Sequence, residues 1–342
     1  MAVAPTAAMR HFLLVAALIP AAACGGASSP SSPSSARPVV AGRTVTALGD
    51  AGAQATVIIG SRSTETDASG AFSVEVDQEG YQEASIRARG FVDRRTFAAS
   101  GAGEQRLSLI PQDFDLAAFN EMARTSNGRL QRWTHRPRLV VVTAVMLYGG
   151  GLEAAHMATS ERLSDAEADA MVEDFSGALA LLTGNAWTSF EAVERDTPAA
   201  GQSVVVLRDG WIVAGRYRGV ADHSGIIGVG RWQVQTDGSI GAGAVFLDAG
   251  FDKNDSRRRL VRIHELGHGL GYTHVTSRTS IMNPVIGPDP TTFDAQAAAI
   301  AFQRYPGNLA PDVDPVRPIG PRALLSEGGG QWAPPVICGP PR

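Results

Sequence analysis

Residues 264–274 read HELGHGLGYTH, and this stretch restricts the chain more tightly than any other. His264 and His268 stand four apart, so on an α-helix they project from one face, one turn apart, and their imidazoles can share a metal ion. Glu265 is rotated about 100° around such a helix. It is badly placed as a further ligand but can reach a water held by the ion. Gly271 tolerates a positive φ and lets the chain turn sharply after the helix. That turn brings His274 back to complete a three-histidine set. Three nitrogen ligands and one open position describe a catalytic Zn2+ rather than a closed structural one. Zinc so held lowers the pKa of its water towards about 7 and polarises a carbonyl. Glu265 is then the general base, taking the water's proton and handing it to the leaving group. The chain has seven histidines. At ordinary residue usage, meeting all five fixed positions by chance is on the order of one in 10^5.

The pattern H-E-x-x-H-x-x-G-x-x-H resembles that of the metzincin zinc peptidases. Downstream, SIMNP offers Met282 at a spacing from His274 like that of the matrixin branch, whose methionine turn lies beneath the zinc. Pro284 stands where astacin-like and serralysin-like members carry tyrosine, which favours the matrixin-like reading. The resemblance covers most of residues 112–307. It implies an α+β zincin domain, a twisted mixed sheet with an active-site helix, acting as a zinc endopeptidase on protein or peptide substrates. It also implies that the strand near Ile226–Gln235 is the sheet edge along which a peptide lies antiparallel. The loop VIGPDP, with Val285 and Ile286, is expected to line the specificity pocket. His135, His156 and His223 do not reproduce the family's second zinc site, and its N-terminal cysteine switch is missing. A structural Ca2+ at Asp237, Asp248 and Asp252 is possible, although acids in surface turns are the simpler reading. Cys338 sits in ICGPP. A Cys-Gly before proline resembles the matrixin inhibitory switch, but at the opposite end of the chain, so a plain free thiol in a flexible tail is the favoured reading.

The other regions divide by composition. From Met9 a basic start, a short apolar run and small residues read as a secretory signal over residues 1–23, too short to span a bilayer. Ala21-Ala22-Ala23-Cys24 resembles a bacterial lipobox, which implies lipidation of Cys24 and a membrane anchor outside the cytoplasm, at the outer membrane or cell surface. Residues 24–37 are a Gly/Ser/Pro tether. Residues 38–111 carry short alternating runs split by turn residues, the pattern of a small all-β sandwich. TDASGAFSVEV there resembles the carboxypeptidase regulatory-like domain.

Residues 112–307 interleave strands and helices. RLVVVTAVML reads as a buried strand, and Ser164 or Asp165 caps a helix that ends near Gly184. DSRRRLVRIHELGHGLG is a helix capped by Asp255 or Ser256, with Arg257, Arg258, Arg259 and Arg262 on a solvated face. Residues 308–342 are a Pro/Gly-rich tail, expected to be irregular. Two cysteines exclude a disulfide scaffold. A net charge of −4 without like-charge blocks gives no sign of a nucleic-acid partner, and the oligomeric state is not encoded in any motif. The alternative function is a lipid-anchored binding or adhesion protein with a vestigial peptidase domain.

Overall fold

The chain was analysed as a computed structural model, which describes residues 37–49, 51–124, 127–148, 155–206, 208–219, 225–315, 331–333 and 336–338. The expected signal peptide, residues 24–36 of the expected tether with Cys24, and His223 lie outside the described residues.

The N-terminal region is all-β: β1 (Val39–Thr46), β2 (Thr56–Ile59), β3 (Arg62–Glu65), β4 (Ala71–Glu75), β5 (Tyr81–Arg87), β6 (Arg94–Ala99) and β7 (Gln105–Leu109). These strands make a three-stranded sheet in the order β4-β1-β7 and a four-stranded sheet in the order β3-β2-β5-β6. Alternation explains the arrangement. Val40, Phe72, Val74 and Leu107 from the first sheet meet Val57, Ile59, Ala84 and Ile86 from the second in one apolar core. The Asp67 carboxylate accepts hydrogen bonds from the Ser69 and Ala71 amides and fixes the turn into β4.

The rest of the chain is α+β. In order it comprises α1 (Leu116–Ala123), β8 (Arg138–Leu147), β9 (Ala155–Arg162), α2 (Asp165–Leu182), β10 (Val193–Asp196), β11 (Ser203–Val205), β12 (Trp211–Arg218), β13 (Gly228–Val234), β14 (Ile240–Asp248), α3 (Ala249–Asn254), α4 (Arg258–Gly269), α5 (Thr292–Phe302), β15 (Gln331–Trp332) and β16 (Val336–Cys338). The mixed sheet runs β11-β9-β8-β12-β14-β13-β15, with β10 also on β8 and β16 also on β13. Strands β8, β12 and β14 are mutually parallel, and β13 is antiparallel to β14. The unbroken apolar run of β8 follows from burial on both faces. Leu139, Val141 and Val145 enter the core beneath the helices, while Val140, Val142, Ala144 and Met146 enter a second core on the opposite face. Ser164 caps α2 in a reciprocal capping box with Glu167.

Three expectations need correction. Helix α4 is not capped by Asp255 or Ser256: it starts at Arg258, with Arg257 at its N-cap and no side-chain cap bond. Arg262 is not on a solvated face: it is 1% exposed, and its guanidinium donates to Asp252 and Asp174. The tail is also ordered where it begins. Asn308, Asp312 and Asp314 are buried. Arg304 donates to both oxygens of Asp312, at 2.7 and 2.8 Å, and Arg94 pairs with Asp314 at 3.1 Å. Buried guanidinium groups require anionic partners, and the start of the tail supplies them. Because Arg94 lies on β6 and Arg304 just after α5, this segment ties the all-β region to the α+β region. No helix among the described residues is long and apolar enough to cross a membrane.

Candidate metal centre and active site

Helix α4 carries His264, Glu265 and His268, and all three are fully buried. The helix lies on β13 and β14, and two glycines of β13 permit the close approach. A Cβ on Gly228 would sit 2.2 Å from the Glu265 carboxylate, and one on Gly230 would sit 2.1 Å from the His268 Cβ. The Gly-Val-Gly of β13 therefore sets the depth at which α4 rests. At the far end Trp133 donates its indole N–H to the Gly269 carbonyl at 2.9 Å. Gly271 has φ +103°, a left-handed turn that favours glycine and returns the chain towards the helix. His274 follows three residues later. Its ring centroid lies 5.3 Å from that of His264 and 4.9 Å from that of His268.

The turn at Met282 is built into the same centre. Met282 is fully buried, and the Ile281 carbonyl accepts a hydrogen bond from His264 Nδ1 at 2.6 Å. His268 Nδ1 donates likewise to the Tyr272 carbonyl at 2.7 Å. A carbonyl oxygen can only accept, so both rings carry their proton on Nδ1 and present a bare Nε2 lone pair to the centre. Those two nitrogen atoms lie 2.9 Å apart. Burial pushes His264 down to about 3 and His274 down to about 4, and it holds His268 well below the usual histidine range. The three rings are therefore neutral, and converging lone pairs repel unless a cation lies between them. Among the described residues, the group of His, Cys, Asp or Glu whose ligand atoms converge is His264, His268, His274 and Cys338, all within 4.8 Å of one another. Three neutral imidazoles and a thiol are donors that suit Zn2+.

Glu265 lies beside this set. Neither of its carboxylate oxygens has a hydrogen-bond partner of ordinary geometry, an expensive condition for a buried acid. Burial pushes its pKa up to about 8, opposed by the nearby Cys338 thiol. Cys338 is a free thiol as expected, but it does not sit in a flexible tail. It is buried, with Sγ 2.9 Å from His264 Nε2, 3.6 Å from His268 Nε2 and 3.5 Å from His274 Nε2. Burial, and then the Glu265 carboxylate, raise this thiol well above its ordinary pKa.

Several supporting residues have no motif to announce them. Asp294 is buried and accepts from the Ser280 hydroxyl and the Ile281 amide, holding the turn that orients His264. Glu121 of α1 accepts from the Thr276 and Ser277 amides, at 2.6 and 3.1 Å, fixing the loop after His274. Behind α4, Asp252 binds Arg216 and Arg262, which also reach Glu167 and Asp174. Among these, the sequence marked only the region of the α2 cap, through Ser164 or Asp165.

The expected pocket pair separates. Val285 is 40% exposed and lines an open depression of about 510 Å³ with Val275, Arg278 and Pro284. Ile286 is 2% exposed and packs in the main core, so it does not line that depression. The three aspartates considered for calcium do separate jobs. Asp237 accepts from Ser239 in a turn, Asp248 caps α3, and Asp252 is neutralised by two arginines. His156 is buried among Tyr148, Tyr217 and Phe246, and His135 is exposed.

The family model described as Matrixin matches residues 161–301. The matched stretch runs from the end of β9 into α5 and contains His264, Glu265, His268, His274 and Met282. This match, together with the convergent donor set, supports a zinc-dependent metallopeptidase similar to matrixins. A search of curated proteins found no matching sequence.

Proposed function

We propose that this chain is an extracytoplasmic zinc endopeptidase that hydrolyses peptide bonds with Glu265 as general base. The observation that carries the reading is the convergence of three desolvated imidazoles, two of them with Nε2 left bare by an Nδ1–H bond, beside a buried carboxylate with no hydrogen-bond partner of ordinary geometry. His264, His268 and His274 would hold a zinc ion, which would supply the Lewis acid needed to activate water and polarise the scissile carbonyl. Glu265 accepts the proton of that water and then transfers it to the departing amine. A base for neutral pH needs a pKa near it, and burial gives Glu265 that upward push. His264 and His268 are held in one tautomer by the Ile281 and Tyr272 carbonyls, so neither ring turns its protonated nitrogen towards the ion. The edge of β13 facing away from β14, paired here with β15 and β16, would pair an extended peptide in their place, which gives affinity with little demand on sequence. Val285, at the rim of its depression, is the better candidate of the expected pair for contacting a substrate side chain. Lipidation of Cys24 would hold the peptidase at a bacterial membrane surface, facing outside the cytoplasm.

The test is cleavage of casein by the purified chain beside Glu265→Ala, with zinc content measured on both. Cleavage that disappears in Glu265→Ala while zinc stays bound is the expected result, with a loss of about 10²–10⁴-fold or more. Absence of zinc from the parent would overturn the reading. So would zinc in both proteins with no cleavage, even after Cys338 is replaced.

A further inference from the structure

The edge of β13 that would pair a substrate is already paired. β15 and β16 lie antiparallel along it, with Val234 opposite Gln331, Gln233 opposite Trp332, Gly230 opposite Val336, Val229 opposite Ile337 and Gly228 opposite Cys338. The Ile227 amide donates to the Cys338 carbonyl at 3.0 Å, and the Ala333 amide donates to the Trp232 carbonyl at 2.9 Å. The strand that seats α4 through Gly228 and Gly230 thus carries the end of the same chain on its other side. The register sets Cys338 opposite Gly228, the residue packed against Glu265.

The position of the sulfur has its own signature. Zinc bonds of about 2.3 Å to sulfur and about 2.0–2.1 Å to nitrogen in a tetrahedron space S and N about 3.6 Å apart. Two of the three Sγ···Nε2 distances, 3.6 and 3.5 Å, have this value. A thiol proton alone could satisfy the nearest nitrogen, His264 Nε2 at 2.9 Å, but not all three. The donor set has the composition of a closed four-ligand centre.

We propose that Cys338 is the fourth ligand of the metal centre and that β15 and β16 occupy the peptide track of β13, so that the chain folds as a self-blocked peptidase. This inference rests on the peptidase reading above. The tail lies in the sense expected of a substrate, antiparallel to β13. Gln331, Trp332, Val336 and Ile337 cover the positions that would take the part of a peptide preceding its scissile bond, and a sulfur stands where the carbonyl would be polarised. Substrate can bind only after this segment leaves β13. Because the blocker is tethered to the site, its effective concentration is high and dilution does not relieve it.

The experiment compares the full chain with Cys338→Ser and Cys338→Ala, each loaded with Co2+ for spectroscopy and with Zn2+ for casein cleavage. The parent should show a sulfur-to-cobalt charge-transfer band that both variants lack. Its thiol should resist a disulfide reagent with zinc bound and react once a chelator strips the metal. Cleavage should rise by about tenfold or more in both variants. Using two replacements, with circular dichroism on each, separates release of the block from misfolding. No sulfur band in the parent, or a thiol equally reactive with and without metal, would overturn ligation by Cys338. Equal cleavage by parent and variants would overturn the block. A sulfur band with no cleavage by any form would instead support ligation and overturn the peptidase reading, so the two failures are distinguishable.

Discussion

Replacing Asp252 by alanine tests whether α4 is held from behind by ionic pairing. The Asp252 carboxylate accepts three charge-assisted hydrogen bonds: Arg216 Nε at 2.7 Å, Arg262 Nε at 2.7 Å and Arg262 Nη2 at 2.8 Å. All three side chains are nearly inaccessible, at 2% for Asp252, 4% for Arg216 and 1% for Arg262. Removing one partner of a buried pair costs about 3–5 kcal/mol, because the remaining charge cannot regain its water. Here the lower end applies. Arg216 keeps Glu167 and Arg262 keeps Asp174, so neither guanidinium is left without an anion. The expected loss is about 3 kcal/mol, or roughly 6–12 °C in Tm for a folded region of this size. Urea unfolding and calorimetry of the metal-free protein would measure it. Asp252→Asn, which keeps the shape and one acceptor oxygen, should lose less. A loss below about 1 kcal/mol in Asp252→Ala would refute the reasoning, since it would mean water enters behind α4 at little cost.

Gly230→Ala should weaken both fold and metal site, because the new Cβ meets the His268 Cβ at 2.1 Å and the Glu265 carbonyl at 2.9 Å. Overpacking of this kind costs about 1–3 kcal/mol, and displacing a ligand should lower zinc affinity about 10–100-fold, measured by competition with a chelator. Gly287→Ala, whose Cβ would meet nothing within 4 Å, is the control; equal behaviour of the two variants would contradict the packing argument. Acid should weaken the contact between α2 and β12. The Arg216 guanidinium, and then the Ser164 amide, hold Glu167 at about 2, below its ordinary 4.5. A depressed carboxylate stabilises the fold above the higher value, and the contribution is lost as pH falls from about 4.5 through about 2. Glu167 is partly exposed, so the effect is on the order of 1 kcal/mol. It should appear as a stability gap between parent and Glu167→Gln that closes across that window.

The candidate metal ligands were legible because their geometry is local. Helical spacing fixes His264 against His268, and a single glycine turn recovers His274. Helix α2 was legible for similar reasons: a cap at Ser164, an acidic first turn and a glycine at its end are short-range signals. The supports were not. Asp252, Asp294 and Glu121 bind partners that lie up to 156 positions away in sequence, and an isolated acid carries no mark of which cation or amide it will meet. The same applies to β3 and β6, whose RSTE and RRTFAA lack the alternation that announced β1 and β2. Arg262 misled for the opposite reason. It sits among exposed arginines, and only the folded position of α3 shows that one of them points inward. The tail misled because proline and glycine were read as irregular, flexible chain, when its aspartates neutralise buried arginines and its cysteine reaches the three histidines.

The site and the tail answer one physical problem together. A peptidase that takes its substrate by strand addition needs a sheet edge with unpaired backbone groups, and such an edge also invites pairing with any other extended chain. β13 cannot be blunted by bulky side chains near the site, because Gly228 and Gly230 must stay small for α4 to reach it. Covering the edge with a segment of the same chain satisfies those backbone groups without altering β13 itself. Placing a cysteine where that segment meets the three histidines ties the cover to the metal. If zinc is removed, that tie is lost and the cover keeps only its strand pairing. Metal binding and closure of the edge are then linked, and each should stabilise the other by mass action.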